Sequence, residues 1–227
     1  MFDFIKEKGI NLTETEEKEL KIFEELLIEW NKKFNLTSIK DSKEIEIKHF
    51  EDSLQGEKLF LEGKKVVEVG SGGGFPSIPL MIKRRDLDFT LIESTGKKCE
   101  FLTMVVNNLK LNAKIVNKRA EDVGKSNLRE SFDIVTARAV ASLNTLSEYC
   151  LPLIKVGGLF IAYKGNNEEE FTAAEKAIKI LGGEVKKVYK YTLSEDLGER
   201  VIYVIKKVSK TPPIYPRGNG KERSKPL

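Results

Sequence analysis

The order of apolar and polar positions divides the chain into a helical front and an alternating remainder. From Thr13 onward, Leu20, Phe23, Leu26, Leu27, Trp30 and Phe34 recur at the three- and four-residue spacing of one helix face. Thr13 or Thr15 can cap that helix, because a hydroxyl oxygen there accepts from an otherwise unpaired backbone N–H. A second helical stretch is expected over residues 42–60, broken near Asp52 and stopped by Gly63. Past Gly63 the period shortens: VVEV (66–69), FTLIE (89–93), KIVN (114–117), FDIVTA (132–137) and LFIAY (159–163) read as strands, with helical patterns at 75–84, 96–110, 142–155 and 167–181. Strands alternating with helices imply a parallel sheet with right-handed crossovers. Gly182 and Gly183 end the last helix, and EVKKVYK (184–190) and VIYVIKK (201–207), separated only by a loop, form an antiparallel hairpin at the sheet edge. The expected fold is α/β: a Rossmann-like, seven-stranded, mostly parallel sheet flanked by helices. A small N-terminal helical subdomain (1–62) precedes the sheet domain (63–208), and a Pro/Gly-rich basic tail (209–227) is expected to be extended.

Composition narrows the classes. A chain of 227 residues, 40% of them hydrophobic, supports one α/β domain with a modest extension. No apolar run approaches the roughly 20 residues needed to cross a bilayer, and the first residues lack a secretory leader, so no membrane association and a cytoplasmic location are expected. Cys99 and Cys150 have neither zinc nor disulfide spacing, and with His49 the only histidine no metal centre is expected. A monomer is the expected state. Charge is unevenly spread. Residues 1–62 carry 10 Lys against 16 Asp plus Glu, a net −6, and residues 206–227 carry 7 Lys plus Arg against 1 Glu, a net +6. A polyanion would meet the central domain and the C-terminal end; a solvated acidic helix and a disordered basic tail would give the same charge pattern.

The chemistry concentrates at strand ends. VVEV runs into Gly70-Ser71-Gly72-Gly73-Gly74-Phe75-Pro76, where absent side chains let the backbone turn sharply and approach a nucleoside ligand. As a dinucleotide fingerprint the run fails at its sixth position, where Phe75 replaces a Gly or Ala, which suits a ligand without a pyrophosphate. Glu93 closes the second strand, where an acid can accept from both ribose hydroxyls. Ala120 and Glu121 follow the third strand and can border an adenine ring. Arg138 ends the fourth strand and Lys164 the fifth. For each, an ordinary ion pair or a solvated charge stands beside a role in contacting the cofactor, RNA phosphate or a target base. Five parallel strands ending in a hairpin fit a methyltransferase sheet better than an NAD-dependent dehydrogenase, the first rival. A non-catalytic RNA-binding module on the same fold is the second, and a small-molecule methyltransferase the third.

Taken together, WNKKFNLTSI (30–39), HFEDSL (49–54), EVGSGGGFPSIPL (68–80), IESTGKKCEFL (92–102), RAE (119–121), ARAVASL (137–143), KG (164–165) and the YPR...KPL ending resemble the bacterial RsmG/GidB family, small-subunit 16S ribosomal RNA guanine-N7 methyltransferases. That resemblance spans nearly the whole chain and implies a class I methyltransferase fold with S-adenosyl-L-methionine as cofactor, and 16S ribosomal RNA or the small ribosomal subunit as partner. It also implies that Gly70, Gly72, Phe75, Glu93, Ala120, Glu121 and Arg138 bind the cofactor. His49 and Asp52 would lie at the cofactor or RNA side, although a lone histidine is by itself more often structural. Arg138 and Lys164 are the expected positioning residues, and His49, Asp52, Lys164 and Arg217 the expected RNA contacts. No general base is expected, since guanine N7 carries no hydrogen.

Overall fold

The computed structural model describes residues 2–227. Three short helical pieces and one long helix open the chain: α1 (Asp3–Glu7), α2 (Glu14–Asn31), α3 (Ser42–Ile45) and α4 (Asp52–Leu54). Thr13 caps α2 reciprocally with Glu16: the Thr13 hydroxyl accepts from the Glu16 N–H at 3.3 Å, and the Glu16 carboxylate accepts from the Thr13 N–H at 2.7 Å. The expected break near Asp52 takes a different form. Residues 46–51 form a π-helical turn that links α3 to α4 without ending the helical path, and a 3-10 turn follows at 57–59. Helix α1 has no counterpart in the sequence reading, because five residues are too few to show a period.

The rest alternates strand and helix: β1 (Lys65–Val69), α5 (Ser77–Lys83), β2 (Asp88–Glu93), α6 (Gly96–Asn108), β3 (Ala113–Asn117), α7 (Ala120–Val123), a single turn where a loop is expected, β4 (Phe132–Arg138), α8 (Leu143–Cys150), β5 (Ile154–Gly165), α9 (Glu168–Ile180), β6 (Gly183–Thr192) and β7 (Glu199–Lys207), then α10 (Lys221–Ser224) in the tail. The seven strands order as β3-β2-β1-β4-β5-β7-β6, with β7 antiparallel to both β5 and β6 and every other pair parallel. The chain winds outward from β1 in one direction and from β4 in the other. The crevice at their C-terminal ends is the switch point where open α/β sheets bind ligands.

Strand alternation assigns each face its partners. On one face Val66, Phe89, Leu91, Ile134, Ile161 and Tyr163 share a core with Phe23, Leu27, Ile45 and Phe50 of the N-terminal helices. On the other, Val67, Val69, Val135, Ala137, Phe160 and Ala162 pack with Leu143 and Leu146 of α8 and Ala174 and Ile178 of α9. By the same parity Glu68, Glu93 and Arg138 face the N-terminal helices, whereas Lys164 faces α9.

The C-terminal segment corrects an expectation. Instead of an extended basic tail, residues 209–227 fold back and end in a helical turn, with Thr211 and Glu222 buried. Arg129 donates to the carbonyl of Thr211 at 2.8 Å and to that of Tyr215 at 2.7 Å, and Thr145 donates to the carbonyl of Glu222 at 2.8 Å. Backbone acceptors that an extended tail would leave to water are met by side chains of the body.

Candidate active site

A cavity of about 510 Å³ opens at the switch point, lined by the glycine loop, Glu93, the α7 loop and the end of β4. Glycine positive φ angles form the loop: Gly70 at 73°, Gly72 at 51° and Gly74 at 88°. A Cβ on Gly70 would lie 2.6 Å from Val140 Cγ2, so the segment after β4 closes directly over the loop. Ala139, between Arg138 and Val140, holds φ at 55°, a left-handed conformation that a non-glycine residue adopts at a cost. This strain turns the chain across the cavity mouth immediately after the strand ends.

Glu93 is 6% exposed and fixed by backbone donors: Gly72 N–H to Oε2 at 3.0 Å and Thr95 N–H to Oε1 at 2.8 Å. Each carboxylate oxygen keeps a second lone pair for a ribose diol. Small Ala120 and adjacent Glu121 line the same cavity, as do Gly70, Gly72 and Phe75. The volume falls within the range of small-ligand sites. A loop without side chains, an anchored acid and a small residue at three successive strand ends together fit an adenosyl group. Among the described residues no group of three or more His, Cys, Asp and Glu is placed to hold a metal.

Phe75, His49 and Arg138 form one stack. The His49 ring lies 4.2 Å from the Phe75 ring at 19°, and the Arg138 guanidinium lies 5.0 Å from the Phe75 centroid. Phe75 in turn packs against Phe23 at 5.2 Å, so its ring belongs to the aromatic core as much as to the cavity wall. Arg138 donates to Asp52 Oδ2 at 2.7 Å, to the Lys48 carbonyl at 3.0 Å and to His49 Nδ1 at 2.8 Å. A guanidinium can only donate, so Nδ1 accepts and Nε2 carries the proton, which it gives to Thr37 Oγ1 at 2.8 Å. Burial, aided by the neighbouring Arg138 charge, lowers the His49 pKa to about 3. Tyr191 donates to Asp52 Oδ1 at 2.8 Å, and its phenol is held well above its ordinary pKa by burial and by the Asp52 charge.

A second cavity of about 300 Å³ lies beside the first, lined by Asp52, Tyr163, Lys164, Gly165 and Arg200, and shares His49, Arg138 and Ala139 with it. Lys164 donates to the Ala141 carbonyl at 2.8 Å and pairs with Glu170 at 2.6 Å. The structure thus gathers His49, Asp52, Arg138 and Lys164 around the second cavity, and Gly70, Gly72, Phe75, Glu93, Ala120, Glu121, Arg138 and His49 around the first. Arg217 lines neither. Its guanidinium is engaged by the buried Glu148, with Nη2 to Oε2 at 2.7 Å and Nε to Oε1 at 3.0 Å.

Sequence reasoning missed Thr37, Tyr149, Arg200 and Arg223 as cavity residues. For Thr37 a signal existed: Asn31 accepts from the N–H groups of Leu36 and Thr37 and donates to the Thr37 carbonyl, a side-chain brace of the kind that asparagine beside a turn provides. Nothing local marks the other three, because elements distant in sequence deliver them. Glu68 is a further buried group that the sequence pattern shows only as part of the VVEV strand. It is fully buried between the Ser71 and Ser77 hydroxyls, neither of which forms a well-aligned hydrogen bond with it, and burial raises its pKa to about 8.

Residues 16–198 match the family described as rRNA small subunit methyltransferase G. A Staphylococcus aureus protein named Ribosomal RNA small subunit methyltransferase G is 44% identical over 227 residues, covering 98% of this chain and 95% of that one. Among solved structures, TYW2 of M. jannaschii in complex with AdoMet is similar at a TM-score of 0.58 and 15% identity, covering 75% of this chain and 80% of that one. A SAM-dependent methyltransferase from Aquifex aeolicus is similar at 0.55 and 18% identity, covering 75% and 96%. At such identities the structural likeness establishes the fold, that of class I methyltransferases.

Proposed function

Because the chain belongs to the rRNA small subunit methyltransferase G family, we propose that it transfers a methyl group from S-adenosyl-L-methionine to N7 of a guanine in 16S ribosomal RNA. The observation that carries the two-substrate reading is the pair of adjoining cavities, with Arg138, His49 and Ala139 as their common wall. One chamber fits an adenosyl group, and the other is a smaller chamber for the base.

When bound, the cofactor supplies an electrophilic methyl on a sulfonium. Guanine N7 presents an in-plane lone pair and no proton, so the protein has only to align and to exclude water. His49, kept uncharged by burial, and Arg138, held by Asp52, the Lys48 carbonyl and His49, suit that task as fixed walls. Asp52 and Tyr191 hold the guanidinium in one rotamer, and Lys164 and Arg200 border the chamber where the base and its phosphates would enter. Base access requires a nucleotide turned out of its stack. In this reading residues 1–62 cover the base side, residues 63–208 carry the cofactor and residues 209–227 complete the domain.

Among the described residues no helix is long and apolar enough to cross a membrane, and a ribosomal substrate supports a cytoplasmic location. The antiparallel β7 inserted between β5 and β6 supports a methyltransferase over a nicotinamide dehydrogenase. Incubation with labelled S-adenosylmethionine and 16S ribosomal RNA, followed by nucleoside analysis, is expected to place the label in 7-methylguanosine. Label in any other nucleoside refutes the N7 assignment, and no incorporation refutes the enzyme.

A further inference from the structure

One wall of the large cavity comes from the far end of the chain. The tail crosses α7 and α8 under several restraints: Glu130 accepts from the Thr211 N–H at 3.1 Å, Glu148 accepts from the Arg217 N–H at 2.8 Å and grips its guanidinium, and the buried Glu222 carboxylate accepts from the Gly218 N–H. These fix α10 so that Arg223 reaches the cavity beside Tyr149, Ala120 and Glu121, with Nε donating to the Tyr149 hydroxyl at 3.4 Å. Unlike Arg217, Arg223 is exposed and has no carboxylate within ion-pairing distance among the described residues. Its planar cation is therefore available to a ligand.

We propose that the C-terminal segment is a cofactor strap, with the Arg223 guanidinium lying against the adenine ring of S-adenosylmethionine. The inference rests on the reading of the large cavity as the cofactor site. Its location is the ground for choosing adenine. Arg223 stands next to the loop after β3, where Ala120 leaves room for a flat base, and Glu93 anchors the ribose position at the neighbouring strand end. A guanidinium stacks on aromatic faces and is weakly hydrated, so it can cap a purine at a solvent-facing rim. The basic residues of the tail, which by charge alone point to RNA, are divided by the fold: Arg217 is used internally and Arg223 faces the cofactor.

Calorimetric titration of the full chain and of Arg223→Ala with S-adenosylhomocysteine and with 5′-methylthioadenosine tests this, alongside 16S ribosomal RNA affinity at fixed salt. The side chain is exposed, and an unchanged melting temperature will show that the variant folds. The expected result is a loss of roughly 3- to 30-fold, as for a stacked cation, equal for both nucleosides and without loss of RNA affinity. Equal binding by wild type and variant overturns the strap, as does a loss confined to RNA. A loss confined to S-adenosylhomocysteine overturns the adenine contact, because only that ligand carries the amino-acid carboxylate. Failure of the wild-type protein to bind either nucleoside removes the cavity reading itself, and the strap with it.

Discussion

Glu68 and His49 are two buried titratable groups whose effects on stability run in opposite directions with pH. The Glu68 carboxyl, raised from 4.5 to about 8, is neutral in the fold where an unfolded chain would ionise it. Its contribution is complete below about pH 4.5 and is lost as pH rises toward 8, because the folded state binds the extra proton in that window. Glu68→Gln keeps the shape without the titration, so the variant is expected to lose this falling slope and to gain on the order of a few kcal/mol over wild type at pH 9 relative to pH 5; urea denaturation at the two pH values measures it. His49, lowered from 6.5 to about 3, makes the fold more stable as pH rises through that interval, since the unfolded state then holds the proton. Gly70 gives a prediction about binding. With φ at 73° and Val140 2.6 Å from where a Cβ would stand, Gly70→Ala is expected to cost about 1 kcal/mol or more in backbone strain and to weaken S-adenosylhomocysteine binding by at least the corresponding fivefold or so in calorimetry.

Helix α2 makes the case at the scale of an element. Its capping box satisfies backbone donors at the N-terminus, and Glu16 also pairs with Lys83 of α5 at 3.2 Å, tying the helix to the sheet layer. Thr13→Ala is expected to destabilise the protein by about 1 kcal/mol, read from chemical denaturation, with nucleoside affinity unchanged because α2 lines neither cofactor wall. The π-helical turn at 46–51 matters differently. It carries His49 and leads into Asp52, and both side chains meet Arg138 from one turn of backbone. Such insertions are common at functional sites because they re-aim side chains within a helix. The periodic pattern gives α2, α5, α6 and α9 and six of the seven strands close to their observed bounds; α8 stops at Cys150, five residues short of the expected end, and β5 begins at Ile154, five residues ahead of the LFIAY run, because a 3-10 turn at 151–153 ends the helix early. The pattern could not give the π turn, because one extra residue per turn over six positions leaves no periodic trace.

At the scale of the whole molecule, the proposed function assigns two binding events to two cavities that share one wall. Asp52 lines the second cavity but not the first, so on the proposed reading Asp52→Asn is expected to lower methyl transfer to 16S ribosomal RNA by roughly 10- to 100-fold, the worth of a charge-assisted hydrogen bond to Arg138. S-adenosylhomocysteine affinity should move far less. Equal losses in both measurements would mean that the chambers are not independent. The N-terminal helices, acidic by composition, cover the sheet face on which Arg138 emerges, and Asp52 on that layer neutralises it. The acidic front of the chain thus supplies a counter-charge at the site.

What the sequence determined by itself was local and periodic: the strands and helices, the glycine loop, and the acid and small residue at the ends of β2 and β3. Each of these depends on neighbours a few residues away, so spacing alone exposes it. Tertiary structure decided which charges are free and which are spent. Arg217 and Arg223 lie in one basic run, yet Arg217 is consumed by Glu148 on α8 while Arg223 reaches the cavity. Arg138 and Asp52 are 86 positions apart and meet only because β4 and α4 are brought together by the sheet. Electrostatic pairing acts over a few ångströms of space, and sequence distance carries almost no record of it.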